Sequence, residues 1–259
     1  MRVVVCTKQI PDPADPPSLD PTSWTLARDG KLVLDDSDSY GVEMALQLAD
    51  QAGGGNVSLV SMVPRGETSG LRSALAMGAD QAIVASDDGL AGSDALSTAK
   101  VLAAATRRLE PDLVLAATES TDGYTGTVPA QLAELLGWPS VTFARHVEVK
   151  DGKLSVQRQT ESGYDEVECP LPAVVTVTAG AVEPRYPSFR GIVAARAKPV
   201  EQLSLADLGL SPEEVGRAGA RQEVVAVVAA EGRSGGQVVE DEGDGHQRII
   251  GFLEERKVI

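Results

Sequence analysis

Aromatic side chains are scarce in this sequence: three Phe, two Trp and four Tyr among 259 residues. The core must therefore be built from Val, Leu, Ile and Ala, and an aromatic platform for stacking nucleic-acid bases is excluded. Histidine is rarer still, with His146 and His246 alone. A Ser-His-Asp hydrolase or a histidine-rich metal site has almost nothing to work with. The two cysteines, Cys6 and Cys169, are far apart and in apolar surroundings, which makes neither a zinc site nor an iron–sulfur site. The opening MRVVVCTKQ runs straight into a strand pattern without a signal peptide, so the expected compartment is the reducing cytoplasm. No apolar run approaches the roughly 20 residues of a membrane span. Positive charge is in deficit, with 23 Lys and Arg against 38 Asp and Glu, a net −15. Such a surface repels phosphate backbones and anionic lipids; its plainest meaning is a solvated exterior that keeps the chain soluble.

What is present is a regular alternation. Residues 2–7 (RVVVCT), 56–62, 81–85 and 112–117 are short β-branched or aliphatic runs of the kind that form buried strands. Between them the spacing predicts helices over about 39–51, 68–77 and 93–109; in the last, Ala95, Leu96, Ala99, Leu102 and Ala103 recur at helical intervals. Strands alternating with helices of this length give an α/β fold, a doubly wound parallel sheet with helices on both faces. From Trp138 the texture changes. Runs at 141–149, 153–160, 164–168 and 173–178 are β-rich, with Asp151-Gly152 marking a tight hairpin, so an added antiparallel segment is expected. The α/β domain is expected to span 1–198. Beyond it, 199–259 holds a helix-start signal at Ser211–Glu214, a strand-like run at 223–230 and a short amphipathic helix from His246. It reads either as a C-terminal arm that lies on another chain or as a poorly ordered tail.

Ligands of such sheets bind beyond the carboxyl ends of the strands. The fourth strand is followed by Thr118–Thr121, then Asp122-Gly123-Tyr124 and Thr125-Gly126-Thr127 opening a helix. Glycines and hydroxyls at a helix N-terminus offer free N–H groups and the positive end of the dipole, a cradle for phosphate; simple capping by Asp122 or Thr125 is the alternative. It is not a P-loop, because no G-x-x-x-x-G-K-[ST] occurs. Lys8, after the first strand, and Met62, at the end of the second, share the same edge. Lys8 is either a ligand of the site or an ordinary surface lysine. Asp35-Asp36-Ser37-Asp38 precedes a helix, with Ser37 and Asp38 the expected cap. No acid–base pair, no nucleophile with a neighbouring base and no metal set stands out, which points to a binding or carrier protein.

In combination, RVVVCTK (2–8), LRSALAMGAD (71–80), DGYTG through GWP (122–139), LPAVVT (171–176) and EPRYPSFRGI (183–192) resemble the beta subunit of electron-transfer flavoprotein, over roughly residues 1–200. The resemblance implies the adenine-nucleotide α-hydrolase-like version of the doubly wound sheet, without hydrolase activity. It implies a carrier, not an enzyme: the small subunit of a heterodimer with an alpha subunit, taking electrons from acyl-CoA and other flavin dehydrogenases in fatty-acid β-oxidation. Those electrons pass to a membrane quinone oxidoreductase. FAD is held mainly by the alpha subunit, and a structural AMP lies in the beta subunit. By position, AMP contacts fall on Cys6, on Asp35, Asp36, Ser37 and Asp38, on Met62, and on Asp122, Gly123, Tyr124, Thr125, Gly126, Thr127 and Val128. The family often has Asn-Pro where this chain has Asp35-Asp36. The segment after EPRY docks dehydrogenases, with Phe189 at the anchor position, Tyr186 and Ile192 beside it, and Asp165 at an acidic position that stabilises the docked arrangement. Some members hold a second FAD in place of AMP and split electron pairs; the short 122–127 loop favours AMP. A stand-alone nucleotide-binding module of the universal-stress type shares the sheet but ends near 150 residues. An ATP pyrophosphatase needs an S-G-G-x-D-S loop, which TKQIPDP does not match.

Overall fold

The structure is a computed structural model that describes residues 1–63, 66–228, 236, 238 and 240–259. Its elements are β1 (Arg2–Cys6), β2 (Gln9–Pro11), β3 (Leu32–Leu34), α1 (Asp36–Gln51), β4 (Asn56–Val63), α2 (Ser69–Met77), β5 (Gln81–Ser86), α3 (Ala95–Arg107), β6 (Leu113–Ala117) and α4 (Val128–Leu136). Then follow β7 (Ser140–Lys150), β8 (Lys153–Thr160), β9 (Gly163–Pro170), β10 (Ala173–Val177), α5 (Phe189–Ala195), β11 (Val200–Leu203), α6 (Gly216–Gly219) and α7 (Gly245–Glu255).

Nine strands form one sheet in the order β11-β5-β4-β1-β6-β10-β7-β8-β9. Pairing is parallel from β11 to β7 and antiparallel from β7 through β8 to β9. The expected α/β sheet with an added antiparallel segment is what forms. Alternation along each strand feeds two cores. Leu113 and Leu115 of β6 join Val3 and Val5 of β1 on one face with α1 and α2 residues such as Leu48 and Leu75. Val114 and Ala116 join Val4 and Cys6 on the other face, against Leu102 of α3 and Leu132 of α4. The fully buried hydrophobics among the described residues include no Phe, Trp or Tyr, as the composition requires. Asp151 and Gly152 both have positive φ, 50° and 75°, the conformation a two-residue hairpin turn needs. α4 ends on Gly137 at φ 72°, whose N–H caps carbonyls of the last turn.

Three features depart from the sequence reading. A small antiparallel ribbon, β2 with β3, frames residues 12–31; runs of three residues are too short to show a period. β11 adds an edge strand, so the compact unit runs from Met1 to Val224 and the second unit from Val225 to Ile259, past the 198/199 boundary expected. Residues 223–228 form no strand, and 229–230 lie outside the described residues; Val and Ala without a pairing edge do not make a strand. In the second unit α7 exposes Ile249, Ile250 and Phe252, and the Arg256 guanidinium stacks 5.4 Å from the Phe252 ring centroid. Among the described residues no helix is long and apolar enough to cross a membrane.

Candidate nucleotide site and docking segment

The strand order reverses between β1 and β6, which are neighbours with β4 beyond β1 and β10 beyond β6. Their carboxyl ends deliver Thr7-Lys8 and Thr118–Asp122 side by side at the switch point where such sheets take ligands. Asp35 ties the edge together. It is fully buried, and its carboxylate accepts from Ser37 N–H at 3.0 Å, Ser37 Oγ at 2.6 Å, Thr121 N–H at 2.8 Å and Thr121 Oγ1 at 3.1 Å. The Asp35 N–H donates to the Lys8 carbonyl at 2.9 Å. The N-cap of α1 is therefore Asp35, correcting the expected cap at Ser37 and Asp38, which lie in the first turn. Asp is as good a cap as Ser, and only the tertiary bond to Thr121 decides between them. Asp35→Ala removes both the cap and the loop anchor. It is expected to cost about 2–3 kcal/mol of stability, read as a lower urea midpoint.

Lys8 is not an ordinary surface lysine. Its Nζ donates to Asp122 Oδ1 at 2.5 Å and Ser120 Oγ at 3.1 Å. Arg28, from the loop between β2 and β3, pairs with the other Asp122 oxygen and donates to the Gln9 carbonyl at 3.0 Å. Burial pushes the Asp122 carboxyl up, but Lys8 and Arg28 together outweigh it and hold it below the usual range. Asp122 is thus a buried anchor of the loop rather than a cap of α4. Arg28 escapes sequence reading because residues 12–31 carry no periodicity.

Asp38 is buried and accepts the Lys8 N–H at 2.5 Å. Burial lifts its carboxyl well above the usual value, and the neighbouring Asp35 charge adds to this against the Lys8 N–H. The folded state then keeps a proton that the unfolded chain has released, so this group's contribution to stability falls as pH rises from about 4. Asp38→Asn keeps an acceptor for the Lys8 N–H and removes that dependence. The variant is expected to gain on the parent between pH 5 and pH 8, measured by urea unfolding at both. Burial also pushes the neighbouring Cys6 thiol up to about 12, with Asp38 adding, so Cys6 is an inert buried thiol at neutral pH. Met62 packs partly buried against the core on the same face; Asp36 is exposed in the first turn of α1.

The loop after Asp122 leaves donors free. α4 starts at Val128, later than expected, with Thr127 at the N-cap making no side-chain cap bond. Among the described residues, no acceptor takes the N–H groups of Thr125, Gly126, Thr127 or Val128. Gly126 sits at φ 63° and Tyr124 at φ 48°, left-handed conformations in the loop that leads into α4. Thr118 Oγ1, one residue past β6, is buried with no hydrogen-bond partner among the described residues. An uncapped helix N-terminus, a left-handed glycine and an orphaned hydroxyl fit the phosphate and polar edge of a nucleotide.

The second candidate region is built as a rigid ledge. Arg185 grips Glu43 of α1 through its N–H at 3.2 Å, Nε at 2.7 Å and Nη2 at 3.0 Å. Burial pushes the Glu43 carboxyl up, and Arg185 and Gln47 outweigh it and hold it low. At the other end α2 and the α5 segment cap each other, Arg72 from within α2 and Lys198 from three residues past α5. Arg72 Nη1 of α2 donates to the Ala195 and Lys198 carbonyls at 2.7 and 3.0 Å, while Lys198 Nζ donates to Leu75, Gly78 and Ala79 carbonyls at 2.9, 3.2 and 2.6 Å. A Cβ at Gly191 would come within 2.4 Å of the Ala76 carbonyl oxygen, so glycine lets the helices touch. On this ledge Tyr186, Phe189 and Ile192 stand 93%, 84% and 48% exposed. Phe189 is a surface residue, not the core of a short helix. Asp165 is exposed on β9 beside Arg158 at 3.7 Å.

The electron transfer flavoprotein domain matches residues 23–208. The chain belongs to the electron transfer flavoprotein family. It is 40% identical to "Electron transfer flavoprotein subunit beta" of Mycobacterium bovis, covering 100% of this chain and 99% of the relative. It is 34% identical to the protein of the same name from Megasphaera elsdenii, over 100% and 98%. It is 35% identical to the "Caffeyl-CoA reductase-Etf complex subunit CarD" of Acetobacterium woodii, over 92% of each. Over its full length this chain is therefore a beta-type, small subunit of the family, and that naming implies an alpha subunit beside it.

Proposed function

We propose that this chain holds AMP at the β1–β6 edge and serves, with an alpha subunit and the FAD held mainly by it, as an electron carrier from acyl-CoA and other flavin dehydrogenases to a quinone oxidoreductase. The sheet is then the adenine-nucleotide α-hydrolase-like variant in a cytoplasmic protein. The row of free N–H groups at residues 125–128 on an uncapped α4 carries the nucleotide reading. These groups, with Gly123, would hold the phosphate; Lys8 and Arg28 supply nearby positive charge, Cys6 and Met62 apolar wall, and Thr118 and the 35–38 turn polar partners. FAD, when bound, supplies the reversible uptake and release of electrons. The residues of this chain set where the donor docks: Arg185, Arg72 and Lys198 fix the ledge, and Tyr186, Phe189 and Ile192 present its apolar face, with Asp165 expected to steady the docked arrangement.

Co-expression with the alpha subunit, followed by mass spectrometry of the released nucleotides, tests this. One AMP and one FAD per pair, with reduction by an acyl-CoA dehydrogenase, is the expected result. Two FAD would place the chain with members that split electron pairs, and a colourless pair without nucleotide would overturn the reading. The arm beyond Val224 is proposed to lie on the alpha subunit through the apolar face of α7. Deleting 240–259 is then expected to weaken assembly at least tenfold in analytical ultracentrifugation.

A further inference from the structure

A cavity of about 370 Å³ opens beside β7, lined by Arg145, Gln159, Thr160, Thr178 and Gly180 among others. It lies at the β10, β7 and β8 strands, where Thr178 follows Val177, the register partner of Ala117 at the end of β6. The sheet is locally remade there. The β7–β8 ladder shifts register between Ala144 and His146, which leaves Arg145 as the extra, unopposed residue. The β7–β10 ladder shifts between Val175 and Val177, and Phe143 takes φ 59°, a costly conformation for a bulky residue. Bulges of this kind re-aim a side chain.

The lining is unusual for a chain of net charge −15: one guanidinium, hydroxyls, an amide and backbone, with no carboxylate. Among the described residues the Arg145 side chain has no hydrogen-bond or ion-pair partner. Thr178 Oγ1 is buried with no partner among the described residues. The Thr178–Ala181 turn closes through Ala181 N–H to the Thr178 carbonyl at 3.1 Å with Gly180 at φ 79°, which leaves the Ala179 and Gly180 N–H groups without an acceptor among the described residues. Donors outnumber acceptors, and the one charge is a planar fork matched to oxyanions. The volume falls in the range of small-ligand sites.

We propose that this cavity is an oxyanion site for a phosphate or carboxylate group, separate from the nucleotide loop. The group comes either from a free small molecule or from an acidic side chain of the alpha subunit. The test uses the full chain, isotope-labelled, titrated with inorganic phosphate and with citrate at constant ionic strength against chloride. Saturable shifts of the Ala179 and Gly180 amides and the Arg145 Nε signal are expected, apart from any at residues 125–128. Arg145→Gln should weaken these shifts at least about tenfold, and the near-isosteric Thr178→Val several-fold, both with unchanged melting. The titration is repeated on the assembled pair. Binding that persists there assigns the site to a free ligand, and binding lost on assembly assigns it to a partner carboxylate. Shifts that do not saturate, or that saturate equally in Arg145→Gln, overturn the proposal.

Discussion

Phe189→Ala is expected to cut reduction of the assembled pair by an acyl-CoA dehydrogenase about thirtyfold at subsaturating concentrations. Flavin content and thermal midpoint should stay the same. The residue is 84% exposed, so the fold draws little from it; an aromatic anchor at a protein interface is worth about 2 kcal/mol or more, and 1.4 kcal/mol is tenfold. The effect belongs in the apparent KM for the carrier, since truncation shortens the life of the complex and does not alter the flavin. The ledge beneath it survives, because Arg185–Glu43 and the Arg72–Lys198 caps involve no atom of Phe189. Stopped-flow reduction at several carrier concentrations reads the split. A variant that loses flavin or melts early would show instead that Phe189 supports the fold or the subunit interface.

Gly126→Val is expected to strip the nucleotide, leaving less than about a tenth of the parent's AMP content. The cause is conformational before it is steric. A Cβ there meets nothing nearer than Glu119 Oε2 at 3.5 Å, an ordinary contact, but φ 63° costs an L-residue roughly 1–2 kcal/mol, with a β-branched one at the upper end. The loop relaxes toward negative φ, which displaces the N–H groups around Gly126 that the parent leaves without acceptors among the described residues. Gly126→Ala should fall between the two. The Asp122 anchor to Lys8 and Arg28 remains, so the free chain should melt within a few degrees of the parent. Stoichiometric AMP in the Val variant would remove the cradle from the proposal.

The sequence shows β1, β4, β5 and β6 because strands buried on both faces are written as unbroken aliphatic runs, and it shows the 151–152 hairpin because only certain residues take that turn. Val200-Glu201-Gln202-Leu203 does not read as a strand: an edge strand needs one buried end, and here Leu203 supplies it while Glu201 and Gln202 are exposed. The strand-end edge with its glycine loop is legible from composition. The hub residues are not. Asp35 looks like any of four polar residues before a helix until Thr121, 86 residues away, donates to it. Arg28 and the Glu43–Arg185 grip, 142 residues apart, are products of tertiary approach alone. The proposed docking segment is visible only through its family likeness, because an exposed Phe and a core Phe are the same letter.

The reciprocal caps between α2 and α5 bear on tempo. A shuttle that meets one redox partner after another cannot wait for a loop to find its shape at every encounter. With α5 ordered by Arg72, Lys198 and the bare backbone of Gly191, the conformational search is completed once, when the chain folds. On the proposed function, meetings between carrier and dehydrogenase would then be limited by diffusion and orientation, and release would need no local melting. Such a segment can be gripped briefly, let go and used again at the pace of electron flow.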